Sequence, residues 1–136
     1  MQIFKAMQIS SSGLTAERFR LDLIANNIAN AHSTRTEQGG PYRRRSAVFA
    51  EKMDAARRNL QGVRVMAVSE DQTPPRLVYE PGHPDADAAG YVAYPNVNVI
   101  QEMVDMITAT RAYEANVTAL NATKSMFLKA LEIGRG

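Results

Sequence analysis

Apolar residues recur every seven positions in two long flanks of the chain, and neither flank contains proline. The first flank, residues 1–31, carries the repeat at Met7, Leu14, Leu21 and Ile28, with Ile24 at the companion position of the heptad. The second flank, residues 97–136, carries it at Val99, Met106, Tyr113, Leu120 and Phe127, with Met103, Val117 and Leu131 at the companion position. An apolar 3-4 spacing over several heptads is typical of a coiled coil or a long helical hairpin. The pattern therefore predicts two long helices that pack in a coiled-coil-like way.

The middle of the chain has a different character. All six prolines lie between Pro41 and Pro95, and proline costs about 3 kcal/mol inside a helix. Short runs of β-branched and aromatic residues, separated by turn signals, occupy residues 47–49, 62–68, 77–79 and 91–94. The sequence thus predicts an α+β fold in three parts: an N-terminal core helix over 1–31, a small β-rich central module over 32–96 and a C-terminal core helix over 97–136.

The pattern leaves open what covers the apolar surfaces of the two helices. One reading is an antiparallel pair within a single chain, with Gly134 capping the second helix. The other is that both ends pack against other copies or other chains, because a wide apolar stripe without a partner is unfavourable in water. On that reading a dilute monomer has a folded middle and mobile ends, before about residue 30 and after about residue 100.

Composition narrows the class of protein. The 136 residues are 45% hydrophobic and 22% charged, which is enough apolar material for a core. A net charge of +2 is too small to require a polyanionic partner, and the lack of cysteine excludes disulfides and thiolate metal sites. No run is long and apolar enough for a membrane span or a secretory signal, so we expect no membrane insertion and no cleaved signal peptide.

Candidate catalytic chemistry is sparse. His83, Asp85 and Asp87 have the side chains of metal ligands, but they lie in a Pro/Gly-rich segment with no second histidine nearby, which favours a solvated turn. His32 precedes Ser33, yet adjacent residues rarely form a nucleophile and its base. We therefore predict no enzyme, no catalytic residue, no metal or cofactor, and no small-molecule substrate.

The strongest basic cluster is Arg43, Arg44 and Arg45, and the basic residues near it in sequence are Arg35, Lys52, Arg57, Arg58 and Arg64. A nucleic-acid site would combine such a cluster with interleaved aromatic residues or a recognition helix. Three readings remain: a nucleic-acid-binding module, a solvated surface and a protein–protein contact. We favour the protein–protein contact and predict no nucleic-acid partner.

Three asparagines, Asn26, Asn27 and Asn30, lie where the first helix continues its apolar heptad. Asparagine is a poor helix former, so these residues are consistent with a fraying C-terminal turn. Alternatively, their amides form hydrogen bonds across a tightly packed helical interface and fix its register, as buried polar groups do in coiled coils. The pattern alone does not decide between these readings.

Several segments resemble the FlgC family of bacterial flagellar proximal rod proteins. The first are SGLTA at residues 12–16 and IANNIANA at 24–31, which are similar to the N-terminal signature of flagellar axial proteins. The more specific ones are GGPYRR at 39–44, YEPGHP at 79–84, GYV at 90–92, PNVNV at 95–99, EMVDMI at 102–107 and RAYEANV at 111–117. In combination they span nearly the whole chain.

The resemblance implies a structural subunit of the flagellar basal-body rod, the drive shaft that crosses the periplasm, transmits motor torque to the hook and is required for motility. In that family the terminal helices pack with those of neighbouring subunits into a tubular core, and the middle forms an outer β-rich part. The implied partners are other copies of the chain, other rod proteins, the adaptor at the export gate and MS ring, and the flagellar type III export apparatus. That apparatus exports the subunits without a cleaved signal peptide.

Pattern and resemblance together predict an assembly interface. Its residues are Met7, Leu14, Leu21, Ile24, Asn26, Asn27, Ile28, Asn30, Arg43, Arg44, Val99, Met103, Met106, Arg111, Tyr113, Asn116, Val117, Leu120, Phe127 and Leu131.

Overall fold

A computed structural model describes residues 2–54 and 59–136. The described part of the chain begins and ends with a long helix and has four strands between them. In chain order the elements are α1 (Gln2–Ala29), β1 (Arg45–Asp54), β2 (Asn59–Glu70), β3 (Arg76–Tyr79), β4 (Tyr91–Tyr94) and α2 (Val99–Gly134). The strands form two separate antiparallel pairs, β1 with β2 and β3 with β4. The predicted α+β fold, with terminal helices and a small central β module, is confirmed.

The ends of α2 differ in how they are capped. Asn98 is the N-cap, and its Oδ1 accepts hydrogen bonds from the backbone N–H groups of Ile100 at 3.1 Å and Gln101 at 3.3 Å. At the other end the prediction that Gly134 is the cap is wrong. Gly134 is the last helical residue, and Arg135 caps the helix in a right-handed conformation. Its N–H donates to the carbonyl of Glu132 at 3.3 Å, so the helix closes with a tight turn that needs no left-handed glycine.

The two helices pack antiparallel. Near the start of α1 the ring of Phe4 contacts the ring of Phe127 edge-on, with 5.4 Å between centroids. Near its end the amide of Asn27 contacts the carboxylate of Glu102. The helices therefore run alongside each other for almost the whole length of α1.

The β1–β2 hairpin packs on α1. Its register pairs Arg45 with Glu70 at the open end and contains two β-bulges, which bend the ribbon. Gly62 on β2 has a φ of +124°, and a side chain there would overlap the hydroxyl of Ser12 on α1. That hydroxyl accepts a hydrogen bond from the backbone N–H of Val63 at 3.0 Å. The glycine thus allows the strand to approach the helix closely.

The β3–β4 pair is short and is held by loops. Val92 on β4 is fully buried and pairs with Val78 on β3. The loop after α1 contacts the β3–β4 connection, where the Thr34 hydroxyl donates to Asp85 at 2.8 Å and Arg35 forms an ion pair with the same carboxylate. The ring of His32 also lies edge-on to Tyr94.

The apolar core of a single chain is small. Among the residues that the structure describes, the buried apolar side chains are Ala16, Ile24, Ala31, Val92, Pro95 and Ala109. Only Ala16, Ile24 and Ala109 of these lie on the helices, and two of the three are alanines, so the helices approach each other closely and bury little area per residue. Most of the larger apolar side chains on both helices remain half-buried or exposed.

Candidate assembly interface

Asn27 is the centre of a buried polar cluster formed by Asn27, Tyr42, Arg44 and Glu102. The Asn27 side chain is 1% exposed. Its Nδ2 donates to the carbonyl of Arg45 at 2.8 Å and to Glu102 Oε2 at 3.0 Å. Its Oδ1 accepts from the Tyr42 hydroxyl and from the Arg45 N–H, both at 2.9 Å. Both donors and both acceptor positions of the amide are used, so the side chain fixes the relative position of α1, β1 and α2.

Glu102 is a buried carboxylate with partners on both oxygens. It is 1% exposed and lies in the first turn of α2. Oε2 accepts from Asn27, and Oε1 forms an ion pair with Arg44 Nε. Arg44 also lies 3.5 Å from Asp105 Oδ2. A buried charge is tolerated only when it is paired and hydrogen-bonded, and here the loop before β1 supplies the countercharge.

Tyr42 contributes the hydroxyl donor of this cluster. Burial raises the pKa of Tyr42 above its ordinary value of 10.0, against the lowering effect of Arg45. The Arg45 guanidinium lies 5.9 Å from the centre of the tyrosine ring. The phenol therefore stays protonated at neutral pH and keeps donating to Asn27.

The three asparagines have different environments. Helix α1 continues through Asn26 and Asn27, and only Asn27 of the three is buried. Asn26 is exposed, while the side chain of Asn30 donates to the Asn26 carbonyl at 2.9 Å and accepts from Ser33 at 3.0 Å. Asn27 thus fixes a register, as one reading proposed, but its partners lie within the chain.

A line of small and polar residues on α2 lies closest to the rest of the chain. Glu102, Ala109 and Thr123 are buried along it at multiples of seven residues. Asn116 occupies the remaining position, and a Cβ atom on Gly13 of α1 would lie 3.0 Å from its Nδ2. The predicted apolar heptad therefore flanks this line, and its residues lie at the edges of the α1–α2 contact.

One face of the first half of α2 is apolar and exposed. Ile100, Met103, Val104 and Ile107 are 75%, 54%, 50% and 56% exposed, respectively. Their spacing of three and four residues places them on a single stripe of the helix. We call these four residues the α2 stripe. A contiguous apolar stripe of this kind marks a surface for a protein partner.

The basic cluster is used largely within the chain. Arg44 pairs with Glu102, Arg45 pairs with Glu70 at 3.0 Å, and Arg43 donates to Gln72 at 3.1 Å. Two further arginines of the predicted cluster, Arg57 and Arg58, lie outside the described residues. Carboxylates therefore pair with Arg44 and Arg45, whereas the partner of Arg43 is a neutral amide.

The turn with His83 forms local hydrogen bonds. His83 Nδ1 accepts from the N–H of Asp85, and Asp87 accepts from the N–H groups of Ala89 and Tyr91. In the ranges 2–54 and 59–136, no group of three or more His, Asp or Glu side chains could hold a metal ion. Within the same ranges, neither helix is long and apolar enough to cross a membrane.

Comparison with known proteins connects this arrangement to flagellar proteins. Residues 7–35 match a family described as flagella basal body rod protein, and residues 88–133 match one described as flagellar basal body rod FlgEFG protein C-terminal. A FlgC rod protein of Borreliella burgdorferi is 47% identical over 152 residues, and the alignment covers 100% of both chains. Those of Bacillus subtilis and Salmonella typhimurium are 43% and 46% identical, over 99% of this chain and 100% of each relative. The chain belongs to the FlgC family of flagellar basal-body rod proteins.

The two family matches coincide with the ends of the FlgC fold. The N-terminal match covers most of α1 and the loop that follows it, and the C-terminal match covers β4 and nearly all of α2. The buried polar cluster joins these two parts, because Asn27 belongs to the first and Glu102 to the second. The full-length relatives also extend over the β1–β2 hairpin between them.

The predicted interface residues of this FlgC-family chain fall into three groups. Ile24 and Asn27 are buried within the chain. The half-buried ones are Met7, Leu14, Leu21, Ile28, Asn30, Arg44, Val99, Met106, Tyr113, Asn116, Val117, Leu120 and Phe127. The exposed ones are Asn26, Arg43, Met103, Arg111 and Leu131. The sequence did not indicate Tyr42 or Glu102 as cluster members, although both lie in the segments that resemble the family.

Proposed function

We propose that this chain is a structural subunit of the bacterial flagellar basal-body rod and assembles through its terminal helices with other copies of itself and other rod proteins. Its relationship to FlgC rod proteins supports this function. The observation that carries the proposal is the exposed α2 stripe on a helix of 36 residues. An apolar helix face of this kind is suited to packing against further helices.

The accessible surface of the chain supports several neighbours per subunit. The chain exposes 9725 Å², whereas a compact monomer of 15.0 kDa exposes about 7,000 Å². Each partner in a standard protein–protein interface contributes about 800 Å². The excess, roughly 2,700 Å², corresponds to about three such surfaces. A subunit inside a tubular assembly has this many neighbours or more.

The terminal helices and the middle module have different roles in this proposal. Residues 1–31 and 97–136 form the part that packs into the core of the rod, and residues 32–96 form the outer module. The twenty predicted interface residues act in two ways in this scheme. The buried ones hold the helices in register, the exposed ones contact neighbours, and the half-buried ones take part in both contacts. This is a mechanical role that requires extended packing surfaces, and membership in a structural rod family favours a non-enzymatic protein.

We propose the finer partners from the resemblance to this family. The rod crosses the periplasmic space and transmits motor torque to the hook, and this subunit contacts other rod proteins and the adaptor at the export gate and MS ring. The flagellar type III export apparatus delivers the chain without a cleaved signal peptide. No nucleic acid, small-molecule substrate or bilayer takes part in this function.

The α2 helix provides the test. Val117→Asp and Leu120→Asp, each introduced as the only copy of the gene in the source bacterium, should abolish rod assembly and swimming. A charge at these half-buried positions becomes buried without a partner, at a cost of several kcal/mol. Rods are counted by electron microscopy of isolated basal bodies. Normal swimming in both variants contradicts the proposal.

A second variant separates assembly from folding. Ile107→Asp changes a side chain that is 56% exposed in the single chain, so the variant should fold normally, as judged by circular dichroism. It should nevertheless prevent assembly, because a neighbour covers this position in the rod. Asn121→Asp adds the same charge at an exposed polar position of the same helix and should assemble.

A further inference from the structure

The β1–β2 hairpin lies on one side of the α1–α2 pair. Because a helix turn has 3.6 residues, positions three and four after a contact residue lie on opposite sides of it. Glu102 faces α1, and Asp105, three positions later, lies on the hairpin side, since Arg44 just before β1 pairs with it. Met106, four positions after Glu102, therefore lies on the other side. We call the furrow between α1 and α2 on that other side the open flank.

Apolar side chains line both walls of the open flank. On α1 the Ser12 hydroxyl bonds to β2 on the hairpin side, so the heptad positions around Glu17 line the opposite side. The half-buried apolar residues of the two walls are Leu14, Leu21 and Ile28 on α1 and Met106, Tyr113 and Val117 on α2. Each of them keeps some exposed surface in the single chain, which a third helix would cover.

Two polar groups on the open flank lack a hydrogen-bond partner. Glu17 on α1 is 18% exposed, and its Oε2 accepts no hydrogen bond from the described residues. Arg20 Nη1 lies 3.8 Å from this oxygen, which is too far for a hydrogen bond. Tyr113 on α2 is half-buried, and its hydroxyl forms no hydrogen bond with any residue that the structure describes. A helix in the open flank is therefore stabilised if it offers a cation to α1 and an acceptor to α2.

The face of α2 that points away from α1 offers both groups. The α2 stripe has the i, i+3, i+4, i+7 spacing with which a helix binds in an apolar groove. The same face continues with Arg111 and Glu114, which are both exposed. Neither side chain forms an ion pair within residues 2–54 and 59–136. Three positions on a helix correspond to about 60° of rotation, so Arg111 and Glu114 lie on opposite edges of this face.

The register of the two helices aligns these groups. Gly13 lies beside Asn116 in the antiparallel pair, so Glu17, one turn later, lies level with the turn of α2 that contains Arg111. Consider a second copy that lies beside the first, in the same direction and at the same height. The Arg111 edge of its α2 then faces α1 of the first copy, and the Glu114 edge faces α2. Its α2 stripe falls against the apolar walls next to the start of α2.

We propose that the α2 stripe of one copy packs into the open flank of a second copy, with Arg111 beside Glu17 and Glu114 beside Tyr113. This inference rests on the proposed function, because it names the contact by which copies pack side by side in the rod. The two surfaces are different, so each copy offers one stripe and one flank, and the contact is heterologous. Since the copies lie at the same height, the contact joins neighbours around the tube.

Cysteine cross-linking tests the contact directly, because the sequence contains no cysteine. The double variant Ala25→Cys/Val104→Cys places one exposed thiol on α1 at the edge of the open flank and one in the α2 stripe. Rods isolated from cells that produce this variant are treated with a short bis-maleimide and run on a denaturing gel. We expect a ladder at multiples of 15.0 kDa.

The matched control is Ala25→Cys/Ala122→Cys. Ala122 is exposed and lies on the same side of α2 as Val104, but five turns further along, or about 27 Å away. In the proposed contact this thiol has no partner on α1 at the height of Ala25. The control variant should therefore assemble and give no ladder.

A rescue experiment tests the pairing of Arg111 with Glu17. Arg111→Glu changes an exposed side chain, so the variant should fold normally by circular dichroism. It should lower the number of rods per cell about tenfold, a change that corresponds to about 1.4 kcal/mol, because two carboxylates then face each other. Adding Glu17→Gln should restore most of the number, since the amide can donate to the new carboxylate. Arg64→Glu reverses an exposed charge on the hairpin and should leave the number unchanged.

The outcomes separate this contact from the proposed function. Rods that contain the double-cysteine variant but give no ladder overturn the contact and leave the rod function intact, and so does a failure of Glu17→Gln to restore the number of rods. A cross-link to a chain of another mass overturns the second-copy proposal, because a different rod protein then occupies the open flank. If the unaltered chain is absent from rods, the proposed function fails, and this contact fails with it.

Discussion

The Asn27 amide donates to the Glu102 carboxylate at 3.0 Å and joins two helices whose residues are 75 positions apart in sequence. Both side chains are 1% exposed. Hydrogen bonds to a charged group are worth more than neutral ones, and a buried partner left unsatisfied costs more than the bond contributes. The cluster around this pair therefore sets the register of α1 against α2 and the start of β1.

Asn27→Ala should destabilise the folded chain by roughly 2–4 kcal/mol. The change leaves Glu102, the Tyr42 hydroxyl and the Arg45 N–H with unmet hydrogen bonds, each costing about 1–3 kcal/mol where burial persists. Urea unfolding followed by circular dichroism measures the loss. Asn26→Ala, on the exposed side of the same turn, is the control and should stay within about 0.5 kcal/mol. Equal effects of the two substitutions contradict the role of Asn27.

Arg44→Glu should be far more damaging than Arg43→Glu. It would place a third carboxylate beside Glu102 and Asp105 and leave a buried charge without its partner, at a cost of about 3–5 kcal/mol. Arg43 is exposed, and its reversal should cost less than about 1 kcal/mol. Urea unfolding of both single variants measures this difference.

Replacing Arg43, Arg44 and Arg45 together by Glu should weaken rod assembly, in part through the folding defect of Arg44→Glu, and should change no nucleic-acid affinity. Anisotropy of labelled DNA at several salt concentrations gives the second result, since binding through phosphates falls steeply with salt. The unaltered chain serves as the comparison. Unchanged assembly together with the loss of measurable DNA binding would instead favour a nucleic-acid module.

Gly62→Ala should loosen the hairpin from α1. At a φ of +124° a side chain is strained, and here it also overlaps the Ser12 hydroxyl, so we expect a cost of about 1–3 kcal/mol. Gly82→Ala is the matched control, because Gly82 has open space around it and no positive φ. The comparison uses thermal unfolding and the exchange rate of the Val63 amide proton. Similar unfolding of both variants shows that the hairpin does not depend on this close approach.

Thr34→Ala should raise the pKa of Asp85. The Thr34 hydroxyl holds the pKa of this carboxyl below its ordinary value of 3.8; partial burial opposes the shift and Arg35 supports it. A lowered pKa means that the carboxylate stabilises the fold above pH 3.8, and that this contribution is lost as the pH falls through the folded-state pKa. Carboxyl carbon chemical shifts in an NMR titration follow the change. Thr36→Ala is the control, because the Thr36 hydroxyl donates to the carbonyls of Gly39 and Gly40 and not to Asp85. This variant should leave the pKa of Asp85 unchanged.

Amide exchange on a dilute monomer should show a protected middle and poorly protected ends. The hydrogen-bonded hairpin and the Val92 region supply the stable part, roughly residues 40–95. Beyond the turns that Asn27 and Glu102 hold together, the helices depend on few buried apolar side chains in the described chain, so we expect those parts to open readily until neighbours cover them. Strong protection throughout residues 100–131 in a confirmed monomer indicates a self-contained helical hairpin and contradicts this expectation.

The periodic features of the sequence predicted the elements well. Seven-residue repeats and the absence of proline located α1 and α2 to within a few residues at each end, and the short β-branched runs correspond to all four strands. These signals are local, because helix period and proline chemistry depend on neighbouring residues. The end of α2 was misjudged at Gly134, since a tight closing turn and a left-handed glycine cap look alike in sequence.

Only part of the buried polar cluster could be predicted from the sequence. Asn27 stood out because asparagine is unfavourable in a helix, but nothing local distinguished it from Asn26. Its partner Glu102 resembles an ordinary acidic residue in the first turn of a helix. The line of closest contact on α2 was also missed, since small and polar residues lie closest where Gly13 and Ala16 let the helices approach. Contacts between residues that are far apart in the chain do not affect the local periodicity of the sequence, so periodicity does not predict them.

The separation between partners in the sequence has a consequence for the order of folding. Arg45 and Glu70, at the open end of the hairpin, are 25 residues apart, whereas Asn27 and Glu102 are 75 apart and Phe4 meets Phe127 across almost the whole chain. Contacts between distant residues form late, because closing a long loop costs entropy before any contact compensates for it. A chain that is synthesised from its N-terminus can therefore complete the β1–β2 hairpin before the residues of α2 have been made. The side of α1 that faces α2 is covered only once α2, or a neighbouring subunit, is present.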